Sequence, residues 1–128
     1  MKADMAKQAA ITNDVKRYIW RHNIEPLISD ELVDEHRRNP LGLHSADLDR
    51  VLYFLRGDPL PEAPRLVVVI VKPERAWAIG EHSRQKGVPV LVREGIYESV
   101  EEIEHAVFLE RLAAVRATYG SLEEEAAQ

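Results

Sequence analysis

The run Leu66-Val67-Val68-Val69-Ile70-Val71 constrains this chain more than any other segment. All of it is apolar and all but Leu66 is β-branched, which suits a pleated strand. Successive side chains on a strand point to opposite faces, so an unbroken apolar run asks for cover on both. The run therefore predicts a central strand. The segment after it reads as a crossover. Pro73 suits the first position of a helix from Glu74 to about Lys86, with Ala76, Trp77, Ile79 and Gly80 on its packing side and Gly87 as its stop. Val88-Pro89-Val90-Leu91-Val92 reads as a second strand, with Pro89 near its start or on an edge. Strand, helix and strand in that order predict a parallel βαβ unit with right-handed crossover. A further strand pairing is expected around Ile96-Tyr97.

The remaining segments read as helices. One is expected from about Ile11 to His22 with Val15, Tyr18 and Ile19 on one face, interrupted by Pro26, whose ring disfavours helix at Glu25. Ser29 or Asp30 caps a second, which carries Leu32, Val33 and His36 and stops at Asn39-Pro40-Leu41-Gly42. Ser45 caps a third, with Asp47 and Asp49 in its first turn, a buried stripe of Leu48, Val51, Leu52 and Leu55, and Gly57 at its end. Pro59, Pro61 and Pro64 make the next stretch an extended connector. Ser99-Val100-Glu101-Glu102 is a capping box that opens the last helix, which runs to about Tyr119 and stops at Gly120. The fold class is α+β: a mainly helical single domain with a small sheet that includes a βαβ unit. Its expected limits are 11–120, between an N-terminal tail over 1–10 and an acidic C-terminal tail over 121–128.

Composition removes several function classes. Lys and Arg total 17 against 22 Asp and Glu, a net charge of −5, the wrong sign for a nucleic-acid binder. The chain has no cysteine, so thiolate metal sites, Fe–S clusters, disulfides and cysteine nucleophiles are excluded. No apolar run reaches the length of a membrane span, and no apolar leader is read at the N-terminus. The expectation is a soluble cytoplasmic domain. Acidic residues concentrate beyond Arg93, where only Arg111 and Arg116 are basic. That segment is either a solvated helix face with its tail or an acidic surface for a basic partner.

Three constellations could carry chemistry, and each has a plainer explanation. Glu102-x-x-His105 has the i, i+3 spacing of di-metal bundles, but no second copy of the motif accompanies it. The Val71-Lys72-Pro73-Glu74 junction stands where an α/β protein would hold phosphate, yet proline removes a donor there and glutamate repels the anion. His36 and His44 flank a turn beside Asp34, Glu35, Ser45 and Asp47, without a nucleophile elbow. No catalytic, cofactor-binding or metal-ligating residue is assigned. Ala106-Val107-Phe108-Leu109 is different. Residues on a helix advance about 100° each, so this run covers most of the circumference. It is either buried between the sheet and the other helices or shared with a partner chain. In the second case Val107, Phe108 and Leu109, with Glu110 and Arg111 at the rim, form the interface.

In order along the chain, Glu31-Leu32-Val33-Asp34-Glu35-His36, Asn39-Pro40-Leu41-Gly42, His44-Ser45, Leu48-Asp49-Arg50-Val51 and Tyr53-Phe54-Leu55-Arg56 make up one set of segments. With Glu101-Glu102, His105 through Arg111, and Val115-Arg116-Ala117, the chain resembles the small subunit of N,N-dimethylformamidase, a two-subunit amide hydrolase. The resemblance spans roughly residues 31–118. It implies a non-catalytic accessory subunit, in a hetero-oligomer of paired large and small subunits. The large catalytic subunit would carry a mononuclear iron on tyrosine and glutamate side chains and hydrolyse the formamide to dimethylamine and formate. No cofactor is expected in this chain, and charge and hydropathy leave neither nucleic acid nor membrane as an expected partner. The alternatives are a stand-alone small enzyme using His36, His44 or His105, and a self-associating adaptor domain.

Overall fold

The computed structural model describes residues 12–127. The tail expected over 1–10 lies outside them. Helix α1 covers 12–19 and runs into a π turn, Trp20–Ile24, and a 3-10 turn, Glu25–Leu27, that contains Pro26. Of the expected stripe only Ile19 packs against the core: Val15 and Tyr18 are exposed, and Trp20 and Ile24 are the buried anchors. A π turn holds an extra residue, which rotates the following side chains onto a new face. The Trp20 indole N–H donates to Gly120 O at 2.8 Å and the Tyr119 hydroxyl to Pro59 O at 2.6 Å, so two buried aromatic donors are satisfied.

Helix α2 is Asp30–Arg38 and α3 is Ala46–Arg56. Both expected caps form, Ser29 Oγ accepting from Leu32 N–H at 3.1 Å and Ser45 Oγ from Leu48 N–H at 3.3 Å. Glu35 locks the turn between them by accepting from Ser45 N and Oγ, each at 2.7 Å. All four residues of the α3 stripe are buried, and Gly57 follows the helix.

The sheet corrects the βαβ expectation. Strand β1, Arg65–Lys72, turns through Pro73-Glu74-Arg75 into β2, Ala76–His82, which pairs in turn with β3, Leu91–Val92. The order is β1-β2-β3 and both pairings are antiparallel. The segment expected to be a helix is thus a strand. Its period fits that outcome: Trp77 and Ile79 take one face, Ala78 and Gly80 the other. As a strand it also gives β1 the hydrogen-bonding partner that a helix could not. Glu74 at φ +62° makes the tight reversal. The expected pairing near Ile96-Tyr97 is present as a two-way bridge with Trp77, at 2.9 and 2.8 Å. β1 is an edge strand, not a central one.

Helix α4, Val100–Tyr119, is capped by Ser99 Oγ, which accepts from Glu102 N–H at 3.1 Å, and ends at Gly120 with φ +76°. It lies between two cores. On one side Phe108, Leu112, Val115 and Tyr119 join Trp20, Leu32 and the α3 stripe. On the other Ile103 and Val107 join Ile79, with Leu66, Val68, Trp77 and Tyr97 around them. The acidic segment after Gly120, expected as a tail, contains a short helix: α5, Leu122–Ala127, starts with Ser121 Oγ accepting from Glu124 N–H, and its Glu125 reaches Arg21 and His22 at 3.7 and 3.2 Å. No helix among the described residues is long and apolar enough to cross a membrane.

Candidate interaction faces and the histidine cluster

The five residues singled out on α4 separate. Val107 and Phe108 are buried in the chain's own two cores, one on each. Glu110 accepts from the Arg93 guanidinium at 2.7 and 2.8 Å, and Arg111 donates to Leu66 O at 3.1 Å. Leu109 alone keeps an exposed side chain, at 42%. The width of the apolar run is therefore mostly explained by a helix with a core on either side, and what α4 offers outward narrows to Leu109.

The histidines draw together although they lie far apart in sequence. His36 from α2 is the buried polar side chain of the main core, 3% exposed. Its Nδ1 is 2.9 Å from His105 Nδ1 on α4, a contact in which one ring donates and the other accepts. Its ring stacks on Phe108 with centroids 3.9 Å apart, and on His44 at 6.1 Å. His44 Nε2 donates to Asn39 O at 2.7 Å. Burial above all, then the neighbouring His105, His44 and Arg56, pushes His36 down to about 4, with Glu35 opposing. Burial, then Arg37, lowers His105 against Asp34. His36 is thus neutral at pH 7, and its ring bonds serve to join α2 to α4. The pocket beside it holds only about 70 Å³. Glu102 is exposed on the first turn of α4, and among the described residues no group of three His, Asp or Glu could hold a metal ion.

The more informative surface is the far face of the sheet. Val67 pairs with Gly80 and Gly80 with Val92, while Val69 pairs with Ala78. A side chain at Gly80 would meet methyl groups of Val90, Val69 and Val67 at 2.6, 2.8 and 3.0 Å, which places those valines together on the face away from α4. None of Val67, Val69, Val90 and Val92 belongs to either core, and Val90 and Val92 stay exposed. The run Leu66–Val71 carries the signal for this face: its alternate residues Val67 and Val69 ask for cover, and neither core of the described residues includes them. Reading Ala76–His82 as a helix hides it, because that helix would have been the cover.

Among curated proteins nothing matches the chain. The family model described as N,N-dimethylformamidase alpha subunit matches residues 10–123, from α1 into α5 and across both cores. With nearly the whole fold inside that match, the chain belongs to the N,N-dimethylformamidase alpha subunit family.

Proposed function

We propose that this chain is a non-catalytic accessory subunit, which docks on a large catalytic amide hydrolase subunit and stabilises the assembly. The observation that carries the reading is the valine face of the sheet. A strand that is apolar on both sides is ordinarily covered on both, and here Val67, Val69, Val90 and Val92 lack a core of their own. Membership of an alpha subunit family supports another subunit as the missing cover. The occupant is an apolar helix or sheet surface of the large subunit. Leu109, exposed on α4, is a second contact point separate from the valine face. Under this reading the iron and the bond cleavage belong to the large subunit, within a hetero-oligomer of paired subunits.

Co-expression of the full chain with its large subunit tests this. Val69→Asp keeps the chain folded and weakens assembly by about 100-fold or more, the effect of a charge at the centre of a desolvated contact. His36→Ala, His44→Ala and His105→Ala leave turnover per assembled complex above the roughly 100-fold loss that marks a missing acid or base. Amide hydrolysis by the chain alone, or undiminished assembly of the Val69 variant, overturns the reading. So does a stable homodimer of the chain built on the valine face.

A further inference from the structure

A cleft of about 270 Å³ opens where the proline-rich connector, β1 and α4 meet. Its floor is apolar, formed by Leu55, Leu60, Leu66 and Val115. Its wall is cationic, with Arg56, Arg65, Arg84 and Arg111 set against a single acid, Asp58. That acid is already engaged: Arg84 donates to both of its oxygens, at 2.7 and 2.6 Å, and to Ala63 O and Leu60 O. Asp58 and Arg84 each take a positive φ, +57° and +72°, so the backbone at both ends is shaped around this pair. Arg65 approaches the same carboxylate only to 3.5 Å.

Neither of the other two arginines makes a side-chain ion pair among the described residues, and the acid acting on Arg111, Glu104, does so without bonding to it. Arg111 is half-buried, and its one hydrogen bond is to Leu66 O. The Arg56 side chain makes no hydrogen bond or ion pair among the described residues. Burial first of all lowers Arg111; Glu104 opposes it, and Arg56 and then Arg65 add to the lowering. A guanidinium held out of water without its counter-charge is costly unless an anion completes it. An apolar floor beneath a guanidinium wall fits an anion with a short hydrocarbon body, because the fork matches a carboxylate bidentately. The backbone at the site offers no glycine-rich cradle of the kind phosphate prefers.

We propose that this cleft binds a carboxylate borne on a short apolar chain, with Arg111 and Arg56 as its ligands and the Leu55–Leu66–Val115 floor as its apolar contact. The carboxylate comes either from a small free acid or from a side chain or chain end of the large subunit. Binding of a carboxylate by the lone chain stands apart from the subunit reading, and only the large-subunit source rests on it.

Titration of the full chain with butyrate, butyramide and inorganic phosphate, followed by backbone amide NMR, tests it. Butyrate perturbs Leu55, Leu66, Arg111 and Ala114 saturably, whereas butyramide does not and phosphate binds more weakly. Arg111→Gln and the solvent-facing Arg56→Gln each weaken butyrate by about tenfold, the loss of one charge-assisted contact. If Arg111→Gln does not fold, Arg56→Gln decides. Butyrate that still binds in the assembled complex identifies a free acid, and butyrate excluded there while binding the lone chain identifies a carboxylate of the large subunit. Absence of saturable butyrate binding to the lone chain, tighter binding of phosphate, or indifference to Arg56→Gln overturns the proposal.

Discussion

The two faces of the three-stranded sheet are built from equally apolar residues and end in different environments. Toward α4, Ile79, Ile103 and Val107 are buried, and Leu66, Val68, Trp77 and Tyr97 close around them. On the far face Val67, Val69 and Val90 gather over Gly80 outside both cores, Val67 and Val69 partly buried and Val90 and Val92 exposed. Local sequence cannot separate these faces, since both halves of the run Leu66–Val71 are aliphatic. What separates them is the supply of a covering element. α4 has two apolar sides and spends both inside the chain, one on the sheet and one on the helices. Nothing remains for the outer valines. Under the proposed subunit role, their hydrophobicity serves the assembly rather than the lone domain.

The largest expected effect breaks the comparison directly. Ile103 is fully buried between α4 and the sheet, so Ile103→Ala removes methyl groups and leaves a cavity. It destabilises the isolated chain by about 3–4 kcal/mol. Val69→Ala, on the outer face, costs under about 1 kcal/mol there because its side chain is partly solvated and lies outside both cores. Urea unfolding of the two variants side by side checks this. Equal losses would mean that the outer face is covered within the chain, and the distinction between the faces would fail.

Much of the fold is legible in the residues. Ser29, Ser45 and Ser99 each cap a helix through an oxygen at the expected N–H, because capping depends on three or four adjacent residues. The α3 stripe follows from period alone. The segment that misleads is Ala76–His82. Its short apolar run suits either period, and Pro73 before it suits a helix start as well as a turn. What decides for a strand is tertiary: β1 needs a partner, and Gly80 lets Val67, Val69 and Val90 close over β2. The Arg111 cleft and the His36–His105 contact are illegible for a related reason. Their members lie on separate elements, and only the fold sets their spacing.

A second expected effect concerns the helix side of α4, which a proton can loosen without touching the sheet. His36 is held down at about 4, mainly by burial, whereas in the unfolded chain it titrates near 6.5. The unfolded state therefore binds the extra proton between those values. Stability is full above about pH 6.5 and is lost as the pH falls toward 4, by up to roughly 3 kcal/mol. His105, also lowered, adds in the same direction. Asp34, Glu35 and Asp58, lowered by Arg37, Ser45 and Arg84, lose their contributions at more acidic pH, so the windows are distinct. His36→Leu flattens the stability profile between pH 6.5 and 4 and leaves the more acidic limb unchanged. A wild-type profile already flat across that window would remove His36 as the cause.

The smallest expected effect sharpens the comparison at the start of the covering helix. Ser99 Oγ satisfies Glu102 N–H, and Ile103, the first residue of α4 to enter the sheet core, comes directly after it. Ser99→Ala leaves that N–H to water and costs about 1 kcal/mol. For a domain of this size the melting temperature then falls by about 3–5 °C. Asp is as good a cap and adds negative charge at the positive end of the helix, so Ser99→Asp restores the melt. The loss is also local. Amide exchange accelerates at Ile103 and at Ile79 beneath it, which depend on the first turn of α4, while Val69, which α4 does not cover, is unchanged. Uniform acceleration on both faces would instead mean that the sheet opens as one unit with α4, and the outer face would owe its order to the same helix.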